Sequence, residues 1–184
     1  MKRVRNWLFL LLLYHLLGGC AQVMAPPHEI KSPELGMIFG HIDAAIMVTG
    51  IELHEYGKFY FPPFRVTPKV HVYPNGDFIA VNLKPGKYYI SKITLANDRV
   101  FRLAALKLKP YQLVFAVEKH AITYTGSYSI SGPLVYDSRA RGDEFYFQKS
   151  RLPGERAILR RMYEITDGTG WQARIDRRLK ELRL

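Results

Sequence analysis

The sequence holds one cysteine, Cys20, among its 184 residues, so no disulfide can close within the chain. It has no H-x-H or H-E-x-x-H pair and no cysteine partner for any histidine, so nothing local points to a metal centre. A G-x-S-x-G nucleophile turn is also missing, since Thr125-Gly126-Ser127-Tyr128-Ser129 has another order. Asp167-Gly168-Thr169-Gly170 is glycine-rich but lacks the lysine and preceding strand of a phosphate-binding loop, and it reads as a helix break. Acidic residues are scarce, 16 against 27 Lys and Arg, for a net charge of +11. Beyond the first residues no apolar run approaches the roughly 20 residues that a spanning helix needs. No internal repeat or low-complexity tract is evident. These absences leave no expected catalytic residue, metal or cofactor.

What is present begins at the amino end. Lys2, Arg3 and Arg5 precede a run from Trp7 to Leu17 that only Tyr14 and His15 interrupt, the pattern of a secretion signal. Leu16-Leu17-Gly18-Gly19-Cys20 then resembles the lipobox of bacterial lipoproteins. That resemblance implies removal of residues 1–19 and acylation of Cys20, as with palmitate, on its sulfur and its new amino group. Each buried acyl methylene contributes about 0.8 kcal/mol, so several chains on one residue anchor a protein durably. Ala21, in place of an aspartate, implies export to the outer membrane, on its periplasmic face. The alternative is an ordinary cleaved signal with a chance cysteine, or an uncleaved anchor.

Taking Lys2, Arg3 and Arg5 from the +11 leaves +8 on residues 20–184. Such a balance suits an acidic partner, whether anionic lipid, glycan or an acidic protein; the export signal argues against nucleic acid. The chain is 48% hydrophobic and 13% aromatic, enough for one domain with a real core.

Residues 20–34, with Pro26, Pro27 and Pro33, read as an extended tether. From 35 to 148 the pattern is β. Met37–Ile42 suits a buried strand, and Ala45–Thr49 with Ile51–His54 forms one bent strand or two. Pro74-Asn75-Gly76-Asp77 between Val70–Tyr73 and Phe78–Leu83 is a hairpin turn, because Asn-Gly readily takes positive φ. In Tyr88–Leu95 the apolar phase shifts between Ile90 and Ile93, which predicts a bulge. Tyr111–Glu118 and Ala121–Ser131 flank a turn at Lys119-His120; Ile122, Tyr124, Tyr128 and Ile130 alternate along the second. Val100–Leu108 is ambiguous between strand and helix, and Phe145–Phe147 adds a short strand. Many short strands with regular turns indicate a sandwich or barrel.

From 149 to 184 the pattern turns helical and basic. Pro153-Gly154-Glu155 opens a helix to about Ile165 with Ile158, Leu159, Met162 and Ile165 on one face. A second helix from about Trp171 carries a stripe of Trp171, Ile175, Leu179 and Leu182. Arg174, Arg177, Arg178 and Arg183 surround that stripe and are the candidate binding residues. The stripe is about as wide as packing against the sandwich requires; the arginines are then solvated, or face lipid, glycan or a partner.

Gly76–Ile90, with Phe78, Leu83, Pro85, Gly86 and Tyr88, resembles the carboxypeptidase-regulatory-like, or transthyretin-like, β-sandwich. Val114–Ile130, with Tyr124, Gly126 and Ile130, looks like the closing hairpin of uncharacterised bacterial lipoproteins with that sandwich, although His120 stands where a glycine is usual. The resemblance implies a mainly β fold, a transthyretin-like antiparallel sandwich followed by two short C-terminal helices. It implies little about function, because such sandwiches serve many.

The leading expectation is a non-catalytic interaction or assembly module at the envelope. A glycan or small-ligand binder using Phe59, Tyr60, Phe61 and Phe64 is the alternative. A metal-dependent enzyme built on His41, Asp43, His54 and His71 is a third.

Overall fold

The computed structural model describes residues 29–57, 67–97, 100–102, 114–131 and 146–183. Nine strands are described: β1 Gly36–Ala44, β2 Val48–Glu55, β3 His71–Val72, β4 Asp77–Leu83, β5 Gly86–Leu95, β6 Val100–Arg102, β7 Val114–Val117, β8 Ile122–Ser131 and β9 Tyr146–Ser150. Two helices follow, α1 Glu155–Ile165 and α2 Gly170–Glu181. The chain is thus mainly β, in two sheets, with two short C-terminal helices. Among the described residues no helix is long and apolar enough to cross a membrane.

One sheet has the order β3-β4-β1-β8-β9. In the other, β5 pairs with β2, while β6 and β7 both pair with β5, near its end and its start. Among the described residues every pairing is antiparallel but one: β1 and β8 run parallel. Parallel neighbours need a crossover. Here it is most of the domain, since the second sheet and the β3–β4 hairpin lie between β1 and β8 in sequence.

The five-stranded sheet is the middle of three layers. One face packs on the second sheet through Ile38, Ile42, Leu53, Phe78, Tyr88, Ile90 and Ile93. The opposite face packs on the helices through Met37, Phe39, Ile79, Ile158, Leu159, Met162, Trp171 and Ile175. β1 is therefore buried on both faces, which explains its nearly unbroken apolar run. The helical stripe covers the sandwich as packing required: Trp171 and Ile175 are fully buried, with Leu179 and Leu182 packed beside them.

Local chemistry sets the turns. Gly76 has φ +84°, and a Cβ there would strike the carbonyl of Ile42. Asn75 closes the same turn by accepting from the Asp77 amide at 3.0 Å. The phase shift in β5 is a bulge at Ser91, where Lys92 faces Glu52 and Ile90 faces Leu53. His120 holds φ +59°, a left-handed conformation that histidine tolerates better than most residues, so the β7–β8 turn forms without glycine. The bend in β2 is one continuous strand through Gly50.

The tether is docked where it is described. The Gly170 amide donates to Glu29 Oε1 at 2.7 Å, and Ile30 packs among the helix-layer apolar residues. Asn82, itself at φ +60°, bridges the Glu29 carbonyl and the Lys31 amide at 3.0 and 2.9 Å. Residues 29–34 are thus part of the domain surface. The strand β9 ends at Ser150, two residues past the boundary expected at 148. Cys20 and the signal, the aromatic residues Phe59, Tyr60, Phe61 and Phe64, most of Val100–Leu108, and the loop around Asp137–Asp143 lie outside the described residues.

Candidate binding groove

α2 turns its apolar stripe to the sheet, so its basic residues occupy the flanks and outer side. The flank nearest the β7–β8 turn borders a groove of about 540 Å³. Arg174, Arg177, Arg178 and Glu181 form the helical wall, with Glu155 at the start of α1. Glu118, His120 and the beginning of β8, Ile122 to Tyr124, form the opposite wall. Three of the four candidate arginines thus share one feature; Arg183 is exposed and does not line it.

Each of the three arginines has a different environment. Arg174 lies 4.9 Å from the Trp171 ring centroid and donates to the Leu35 and Pro33 carbonyls at 2.8 and 3.1 Å. Its charge meets no carboxylate among the described residues. Burial lowers its pKa from the usual arginine value, and the nearby charge of Arg177 lowers it further. Arg178 is neutralised: its guanidinium donates to Glu155 at 2.9 Å and Glu181 at 3.1 Å. The Glu155 bond raises its pKa against the opposing effect of burial. Arg177 is exposed and makes no ion pair or hydrogen bond among the described residues.

A second polar constellation was invisible in the sequence. Ser127 of β8, His41 of β1 and Asp77 of β4 stand opposite one another across three neighbouring strands. His41 Nδ1 lies 2.9 Å from Asp77 Oδ1. Arg161 of α1 grips the same carboxylate with Nε at 2.6 Å and Nη2 at 2.8 Å, and Asn75 donates to it at 2.9 Å. The order resembles a serine–histidine–aspartate relay, but the hydroxyl is used elsewhere. Ser127 donates to the Pro153 carbonyl and lies 2.9 Å from the Tyr124 hydroxyl, and no hydrogen bond joins it to His41. With both carboxylate oxygens held by Arg161, the arrangement works as a clamp between helix and sheet rather than a base and nucleophile.

The remaining histidine candidates do not converge with it. His54 is on the other sheet, with Nε2 2.7 Å from Glu52 and Nδ1 3.3 Å from the Tyr89 hydroxyl. Asp43 is exposed at the end of β1, and His71 is on the edge strand β3. Among the described residues no group of three or more His, Cys, Asp or Glu is placed to hold a metal ion. No protein-family model, curated protein or solved structure matches this chain.

Proposed function

We propose that this protein is a lipid-anchored lipoprotein of the cell envelope, held at the periplasmic face of the outer membrane, and acts as a non-catalytic interaction or assembly module. The anchor rests on Leu16-Leu17-Gly18-Gly19-Cys20. The module rests on one observation: Arg174, Arg177 and Arg178 line a single groove beside the β7–β8 turn instead of spreading over the helix surface. Tethering raises the local concentration of that groove at the membrane, so modest affinity suffices for capture. The occupied hydroxyl of Ser127 and the arginine-gripped Asp77 favour a binding role over catalysis.

Two measurements test the parts separately. Metabolic labelling with an alkyne fatty acid should mark the wild-type chain and leave Cys20→Ser unmarked; a labelled Cys20→Ser removes the anchor. Photoreactive residues replacing Ala116, an exposed uncharged residue of the groove lining, and Arg183, outside it, should give recurrent adducts at 116 in intact cells. If adducts form only at position 183 or not at all, the groove is not the contact surface.

A further inference from the structure

The walls of the groove differ in how their charges are satisfied. Arg178 is paired with two carboxylates, so it contributes little net charge. Arg174 and Arg177 are neighbouring cations, and neither pairs with a carboxylate among the described residues. Across the groove Glu118 is exposed and forms no ion pair among the described residues. Arg177 and Glu118 therefore line one cavity as opposite charges, yet stay farther apart than an ion pair. Space separates two unsatisfied charges of opposite sign.

We infer that the groove binds a small zwitterion, with its anionic group against Arg174 and Arg177 and its ammonium group against Glu118. The inference rests on reading the groove as the contact surface proposed above. The volume, about 540 Å³, falls within the range of small-molecule sites. Arg174 is already immobilised, since Trp171 and the Pro33 and Leu35 carbonyls hold its plane. Among the described residues only two of its five N–H groups are used, so donors remain for a carboxylate or phosphate oxygen. A bound anion would also relieve the repulsion between the two arginines. A simple anion would leave Glu118 opposing it across the groove, whereas an ammonium group turns that opposition into attraction. Two sources present this chemistry at an envelope: the phosphoethanolamine headgroup of a phospholipid, and a peptide with free amino and carboxyl groups.

The experiment is calorimetric titration of the full chain in detergent with glycerophosphoethanolamine, alanyl-alanine, glycerol 3-phosphate and ethanolamine. One or both zwitterions should bind, with glycerol 3-phosphate and ethanolamine each weaker by about tenfold or more. Tighter binding of glycerophosphoethanolamine assigns the headgroup; tighter binding of the dipeptide assigns a peptide terminus. Arg177→Ala should weaken the zwitterion by about tenfold. Glu118→Gln should weaken it comparably while tightening glycerol 3-phosphate, whose repulsion from Glu118 is then gone. Both residues are exposed and unpaired among the described residues, so the variants should melt with the wild type, and Arg177→Lys should fall between wild type and Arg177→Ala. Absence of binding by either zwitterion, equal affinity for glycerol 3-phosphate, or indifference to Glu118→Gln overturns the inference. Cellular adducts at position 116 persisting beside a negative titration would overturn the ligand alone; loss of both would overturn the groove as well.

Discussion

Tyr124 and Tyr128 are four residues apart on the same strand and face opposite sides of the sheet. Tyr124 stacks on Phe39 in the helix-facing layer, with ring centroids 5.4 Å apart. Tyr128 stacks on Phe147 at 4.9 Å and belongs to the core between the sheets. Between them the pairing of β8 with β1 slips, so that Phe39 faces Tyr124 while His41 faces Ser127. The extra residue sits at Thr125-Gly126, and Gly126 takes φ +115°. A bulge of this kind swaps every later side chain to the other face.

Gly126→Ala should therefore be costly. A side chain at that φ is strained, and its Cβ would sit 3.1 Å from the Tyr128 hydroxyl. The expected loss is about 1–3 kcal/mol in urea unfolding. A change under a few tenths would mean that β8 does not need the bulge.

Asp77 is fully buried, and Arg161 and His41 approach it from different elements. Asp77→Ala should cost about 3 kcal/mol, the low end for a broken buried pair, because Arg161 is 38% exposed and can turn to water. Arg178→Ala breaks two surface pairs and should cost less than about 1 kcal/mol. Equal costs would refute the clamp assignment.

Trp171 is the largest fully buried side chain and joins α2 to the sheet. Trp171→Ala should cost about 3–5 kcal/mol by thermal or chemical unfolding. It should also release Arg174, which rests on the indole, and widen the groove. A near-wild-type midpoint would show that the helical layer is dispensable.

Tyr73 and Glu52 set opposite pH limits. Burial, with the Asp77 charge adding to it, pushes the Tyr73 phenol up from 10.0 to about 12. A raised pKa means the fold holds the proton, so this contribution is full below pH 10 and is lost as pH climbs towards 12. Its hydroxyl has no hydrogen-bond partner among the described residues, so Tyr73→Phe should raise the melting temperature and flatten the alkaline decline. Burial alone would raise the Glu52 carboxyl. Lys92 at 2.8 Å and His54 outweigh it and hold the pKa below the ordinary 4.5. That contribution is present above pH 4.5 and is lost as pH falls through the depressed value. Glu52→Gln should remove the acid-side part, seen as a shallower fall in melting temperature below pH 4.5.

The bulge at Ser91 was legible because Ile90 and Ile93 break the alternation of their own strand. The slip at Gly126 was not, because Tyr124 and Tyr128 have the same parity and read as one face. The glycine was visible, but its φ depends on what β1 offers beside it. Residues 29–34 read as tether because their few apolar groups say nothing of the Asn82 and Gly170 contacts that dock them.

The sequence by itself determined the periodic elements: the strands about Asn75-Gly76, the doubly apolar β1, and the stripe from Trp171 to Leu182. Periodicity and turn chemistry act over a few residues, and so they can be read from neighbours alone. Only the tertiary structure decided that β1 and β8 run parallel, that Asp77 meets an arginine 84 residues away, and that Arg177 and Glu118 line one groove. Those relations depend on which layer covers which, and layer order is fixed by the burial of whole faces rather than by any local pattern.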